Sequence, residues 1–234
     1  MSGSKSQQSV LERIRGGLIV SCQALPEEPL HSSYIMSRMA YAAMEGGAVG
    51  IRANSVADIR EIKKTVDLPV IGIIKKVYAD SSVYITPTME EIDALAACGA
   101  DIIATDGTLR MRPQGESLDD FFSRVRKKYP EQLFMADCST YEEGMHAEEI
   151  GFDLIGTTMS GYTDYTAGKS LPDITMMESL VGGLKKPVIA EGGIWTPEQL
   201  KAVMETGILA AVVGTAITRP REITRHFLTA LDRA

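Results

Sequence analysis

Cysteine, histidine and long apolar runs are all in short supply in this chain, and each shortage excludes something. Its cysteines, Cys22, Cys98 and Cys138, are odd in number and widely spaced. That argues against a disulfide framework and a cysteine-based zinc motif, and fits a reduced, cytoplasmic setting. The histidines, His31, His146 and His226, fall in helix-rich stretches rather than at strand ends. Ser/His/Asp nucleophilic catalysis and a histidine metal centre are therefore unsupported, and neither a metal nor another cofactor is expected. No G-x-G-x-x-G follows the first strand, so a dinucleotide site is unsupported. No apolar run is long enough to span a bilayer. Residues 1–9 are polar and lack the apolar segment of a signal peptide; they are predicted to be a disordered tail ahead of one domain over 10–234. Positive charge is also scarce. Twenty-four Lys and Arg face 31 Asp and Glu, a formal net charge of -7, which argues against nucleic acid as a partner. An anionic ligand would have to be held by local cations.

What the chain has in plenty is short apolar runs alternating with helical patterns. With 234 residues and 44% hydrophobic content, it can bury one large core. Strands are predicted over 17–22, 48–51, 69–74, 101–104, 132–136, 153–156, 187–190 and 210–213. They lack polar alternation, as strands buried on both faces should. Helices are predicted over 32–44, 56–66, 89–97, 118–128, 140–149, 174–184, from Thr196 to about Gly207, and after Pro220. Four segments, beginning at Glu45, Cys98, Ile150 and Thr206, share one plan: a helix ends on Gly and a strand follows within a few residues. Eight βα repeats favour a single (β/α)8 TIM barrel of the phosphate-binding type over an open doubly wound sheet.

Such barrels place their chemistry at the carboxyl ends of the strands. Those ends read Gln23, Arg52, Lys75, Asp106, Asp137, Thr158, Glu191 and Gly214. Any one of them could be a capping or solvated loop residue; together they bring cations, carboxylates and an amide to one mouth. The last two βα turns, Gly192-Gly193 and Gly214-Thr215, with Arg219 nearby, form a nest of backbone N–H groups suited to a phosphate.

Several segments resemble one family. Ile19-Val-Ser-Cys-Gln-Ala24, Ile71-Gly-Ile-Ile-Lys75, Tyr84-Ile-Thr-Pro-Thr88 and Ala136-Asp-Cys-Ser-Thr140 are among them. So are Thr157-Thr-Met-Ser-Gly-Tyr-Thr163 and Val213-Gly-Thr-Ala-Ile-Thr-Arg-Pro220. The chain is similar to bacterial N-acetylmannosamine-6-phosphate 2-epimerases from about Gly17 to its carboxyl-terminal helix. The resemblance implies a barrel isomerase of sialic acid and amino-sugar catabolism, with Lys75 and Glu191 catalytic. It implies substrate contacts at Gln23, Arg52, Asp137 and Arg219. At Gly193 many members carry a basic or polar side chain, so only the Gly193 backbone is assigned to the substrate, with Gly214 and Thr215. The expected partner is a small-molecule N-acylated hexosamine 6-phosphate, with homo-oligomerisation left open.

Residue chemistry agrees. Inverting a carbon beside a carbonyl requires acid/base groups on both faces, or one mobile group. The third and seventh strands lie across an eight-stranded barrel from each other, so Lys75 and Glu191 can flank a substrate. Lys75 must be neutral to act as a base, and burial beside Arg52 would favour that; an apolar pocket would favour a protonated Glu191. A Schiff-base lyase or another phosphosugar isomerase, and a catalytically silent phosphosugar sensor, are the alternative readings.

Overall fold

The computed structural model describes residues 3–231. Eight parallel strands close into a barrel in sequence order, the last pairing with the first. They are β1 (Leu18–Cys22), β2 (Gly50–Asn54), β3 (Val70–Ile73), β4 (Ile102–Asp106), β5 (Leu133–Asp137), β6 (Leu154–Gly156), β7 (Val188–Glu191) and β8 (Ala210–Val213). The (β/α)8 expectation is met, and the open sheet is excluded. Around the barrel run α1 (Gly3–Ile14), α2 (Ser33–Glu45), α3 (Val56–Thr65), α4 (Met89–Ala97), α5 (Leu118–Lys128), α6 (Tyr141–Glu149), α7 (Ile174–Gly183), α8 (Pro197–Glu205), α9 (Thr215–Thr218) and α10 (Pro220–Leu228). None of the described helices is long and apolar enough to cross a membrane.

Every strand but β2, whose inward positions are Gly50, Arg52 and Asn54, feeds two cores, because successive side chains point to opposite faces. Ile19, Ile71, Ile73, Ile102, Leu133, Met135, Leu154, Ile189 and Val212 point inward and fill the barrel. Val20, Ile51, Ile103, Phe134, Ile155, Val188 and Ala211 point outward against the helices. Helix starts follow the expected chemistry. Thr88, Thr140 and Thr196 each cap a helix reciprocally with a Glu or Gln three residues on, and Pro197 takes the first turn of α8.

One expectation differs at the amino terminus. A helix, Gly3–Ile14, runs through most of the stretch read as a tail, while residues 1 and 2 lie outside the described residues. Its physical basis is the apolar face of Val10, Leu11 and Ile14, which packs against the lower barrel core. Ile14 is only 1% exposed, and the Gly16 N–H donates to Leu209 O at 2.7 Å.

Three aromatic rings meet in the outer core where α5 packs on β5 and on the approach to β6. Phe122 stacks on Phe152 at 12° and meets Phe134 edge-on at 5.6 Å. Truncating a buried aromatic removes both transfer energy and packing partners. We therefore expect Phe122→Ala to lower stability by about 3–5 kcal/mol, read as a reduced urea midpoint with an unchanged barrel circular-dichroism signature.

Candidate active site

Strand phase decides which carboxyl-end residues reach the mouth. Ser21, Arg52, Asp106, Asp137 and Glu191 occupy inward positions above the apolar barrel core. Gln23, two residues beyond Ser21, and Lys75, two beyond Ile73, continue the same phase. Over them lies a cavity of about 350 Å³ lined by Gln23, Arg52, Lys75, Thr158, Glu191, Gly193, Gly214, Thr215 and Arg219, among others. The cavity thus gathers every expected site residue except Asp137.

The floor of the cavity is built on Arg52, whose side chain is 1% exposed. Its Nη2 donates to Asp137 Oδ2 at 2.6 Å and its Nη1 to Asp137 Oδ1 at 3.2 Å. The same Nη1 lies 3.2 Å from Glu191 Oε2. Burial opposes the guanidinium charge, but Asp137 and Glu191 outweigh it and hold Arg52 protonated. Thr158 Oγ1 sits 2.6 Å from Asp137 Oδ1 and 3.2 Å from Glu191 Oε2. Burial, and then the nearby Asp137 charge, push the Glu191 carboxyl above its ordinary range, against the opposing effects of Arg52, Lys75 and Thr158.

Lys75 is placed by a backbone device. After β3 the chain turns back on itself, and Lys75 bridges Ile85 in an antiparallel pairing. The Lys75 N–H donates to Asn54 Oδ1 at 2.8 Å, the Lys76 N–H to Tyr84 O at 2.9 Å and the Thr86 N–H to Ile74 O at 2.7 Å. Residues 83–86 form this returning arm. Among the described residues no carboxylate lies within 4.0 Å of the Lys75 amine. Burial, followed by the Arg52 and Arg219 charges, lowers its pKa to about 8.

Two residues beyond Glu191 in the same lining, Gly193 has φ +70°, and a Cβ there would collide with Leu171. No side chain fits without moving that loop, so Gly193 offers its backbone alone. Gly214 is followed directly by α9, whose first bonded amides, Ile217 and Thr218, both donate to Gly214 O. The N–H groups of Thr215 and Ala216 precede them. Arg219 is held by Glu28, Nη2 to Oε2 at 3.1 Å.

Two strand-end residues differ from expectation. Asp137 is fully buried beneath the cavity, its oxygens taken up by Arg52 and Thr158; the Arg52 charge holds it below the cavity wall. Asp106 is also fully buried, accepting from Thr108 N at 2.9 Å, Thr108 Oγ1 at 2.6 Å and Arg110 Nη2 at 2.6 Å, so it braces the loop after β4. Ser21, Tyr84, Tyr162 and Trp195 line the cavity without having been singled out. Ser21 could have been found by counting in twos from Ile19; the aromatic residues come from loops, where no period tells. The histidines stay outside the cavity lining: His31 Nδ1 meets Ala24 O, His146 Nε2 meets Asp119 and His226 stacks on Trp195. Among the described residues, no group of three or more His, Cys, Asp or Glu is arranged to hold a metal ion.

A closed βα barrel with ionisable groups converging on a mouth cavity is the architecture of a (β/α)8-barrel enzyme. Comparison with known proteins gives the family. The chain belongs to the family described as "Putative N-acetylmannosamine-6-phosphate epimerase", whose profile matches residues 36–233. It is similar to the "Putative N-acetylmannosamine-6-phosphate 2-epimerase" of Caldanaerobacter subterraneus subsp. tengcongensis, at 55% identity over 95% of this chain and 94% of that one. The protein of the same name from Listeria innocua is 51% identical over 96% and 98%. The solved structure of the N-acetylmannosamine-6-phosphate 2-epimerase from Clostridium perfringens matches with a TM-score of 0.90 at 52% identity, covering 94% of this chain and 95% of that one. A thiamine phosphate pyrophosphorylase from Pyrococcus furiosus, 19% identical with a TM-score of 0.60, shares the fold. Family membership makes this chain an isomerase.

Removing one partner of a buried ion pair leaves the other charge without compensation. Asp137→Asn should therefore lower stability by about 3–5 kcal/mol, checked by urea unfolding, whereas Asp67→Asn, at the exposed pair with Arg13, should change little.

Proposed function

We propose that this chain interconverts N-acetylmannosamine 6-phosphate and N-acetylglucosamine 6-phosphate, in sialic acid and amino-sugar catabolism. The observation that carries the reading is that Lys75 and Glu191 line one cavity from strands four positions apart in a ring of eight. With the sugar in its open-chain form, C2 lies beside the C1 aldehyde. One group takes the C2 proton while the electron pair of that bond moves toward the carbonyl oxygen. The other group then delivers a proton to the opposite face of C2, and the carbonyl is restored. The Gln23 amide and the Arg52 charge stabilise the oxygen as it becomes negative. The amides of Gly193, Gly214 and Thr215, with the Arg219 side chain, hold the 6-phosphate. A lyase using Lys75 as a Schiff base is the weaker reading; borohydride would trap it covalently on its substrate. The acidic balance of the chain argues against nucleic acid, and its free thiols suit the cytoplasm.

The two catalytic groups share one proton between them. Neutral Lys75 with protonated Glu191 serves one direction; protonated Lys75 with ionised Glu191 serves the other. These forms differ only in where the proton sits, so both directions depend on pH in the same way. Activity falls at low pH, where both groups are protonated, and at high pH, where both have lost their protons. The alkaline limb belongs to Lys75, near pH 8, and the acidic limb lies above the ordinary carboxylate range.

We expect kcat/KM against pH to be bell-shaped, with an alkaline midpoint near 8 that is the same from either epimer. Lys75→Ala and Glu191→Gln should remain folded, bind product and turn over at least roughly a hundredfold more slowly. Proton exchange at C2 in heavy water, followed by NMR from each epimer, shows which face each group serves. Near-normal turnover in either variant removes that residue from its role.

Arg219→Ala should raise KM for the phosphosugar roughly tenfold or more and leave the unphosphorylated sugar as poor a substrate as before. An unchanged KM would take Arg219 out of the phosphate site.

A further inference from the structure

We propose that Thr158 is a positioning residue for epimerisation, its single hydroxyl proton turning between Asp137 and Glu191 as Glu191 gains and loses the proton it exchanges with C2. The inference rests on the proposed role of Glu191 and extends it to a residue that carries no role so far. The geometry is specific. Oγ1 lies 2.6 Å from Asp137 Oδ1 and 3.2 Å from Glu191 Oε2, so one donor faces two acceptors. Its backbone is clipped on both sides. The Thr157 N–H donates to Ile189 O at 3.2 Å, and the Met159 N–H donates to Cys138 O at 3.0 Å. Thr157 Oγ1 also donates to Glu191 O at 2.8 Å and accepts from the Glu191 N–H at 3.0 Å. With the neighbouring main chain held and Oγ1 between the two carboxylates, a turn of the hydroxyl hydrogen alone redirects the bond.

Each orientation suits one state of Glu191. Turned to Asp137, the hydroxyl presents a lone pair to Glu191 Oε2, which suits a protonated carboxyl donating to it. Turned to Glu191, the hydroxyl donates to the ionised carboxylate, while Asp137 keeps both contacts from Arg52. No proton is gained or lost by Thr158 in either arrangement. The other charged groups facing Glu191 are Arg52 from β2, Asp137 from β5 and Lys75 beyond β3. Neither Arg52 nor Asp137 has this two-way capacity, since Arg52 only donates and Asp137, when ionised, only accepts, and Lys75 makes no ion pair with Glu191 among the described residues.

The test compares Thr158→Val, which keeps the shape and removes the hydroxyl, with Thr158→Ser, which restores it. Both are assayed from each epimer for kcat, KM and pH dependence, beside Glu191→Gln. We expect Thr158→Val to lower kcat roughly tenfold or more in both directions, with KM nearly unchanged. Its acidic limb should move to higher pH, because ionised Glu191 has lost a donor. Thr158→Ser should return both quantities toward wild type; if Thr158→Val folds poorly, Thr158→Ala replaces it, with the same loss of kcat and the same limb shift expected. A valine variant with wild-type kcat and limb, or a serine variant as slow as valine, overturns the proposal. Slow Glu191→Gln with normal Thr158→Val discards Thr158 alone; fast Glu191→Gln discards the underlying role of Glu191.

Discussion

Arg52 is the charge on which the mouth of this barrel depends. A guanidinium that is 1% exposed has lost its water and must be compensated within the protein. Asp137 supplies most of that compensation, and Glu191 the rest. The demand runs both ways. Arg52 draws the Glu191 carboxylate toward it, and Thr158 bridges the two carboxylates from just beyond β6. One ion cluster therefore ties β2, β5 and β7 across the barrel, where backbone pairing joins only neighbours.

Lys75 experiences the same charges with the opposite result. It has no carboxylate within ion-pair distance among the described residues, and it sits beside cations already committed elsewhere. Arg52 is held by Asp137, and Arg219 by Glu28. Each is anchored where it can act on the amine at a distance without bonding to it. The antiparallel return from Lys75 to Ile85 brings Tyr84 and Ile85 into the same cavity lining as Lys75, and burial of the amine lowers its pKa further. A depressed lysine pKa is thus a product of backbone path and fixed charge together.

Much of this was legible in the chain, and the limits have a physical pattern. The eight strands could be read because buried parallel strands are continuous apolar runs ended by Gly turns. The same continuity conceals phase, since no polar residue marks which side chains face inward. Arg52 was read as lying just past its strand, whereas β2 runs on to Asn54 and carries Arg52 in its interior. Asp106 and Asp137 look alike at their strand ends, yet Arg110 holds one and Arg52 the other. The Asp106 partner is local, four residues on, whereas the Asp137 partner comes from another strand and leaves no local trace. Tyr84, Tyr162 and Trp195 reach the cavity from loops, beyond the reach of any periodic pattern.

The contact between Gly193 and Leu171 links two loops that are far apart in the chain. Gly193 has a left-handed backbone, and the space a side chain would need is already filled by Leu171, in the long connection after β6. That same connection begins with the segment carrying Thr158. A barrel of this kind that bears a side chain at position 193 must hold residue 171 differently, and with it the path of the connection. The two positions should therefore change as a pair: divergence at one is tolerated only alongside compensation at the other. The Gly193 turn and the connection that carries Thr158 would then evolve together.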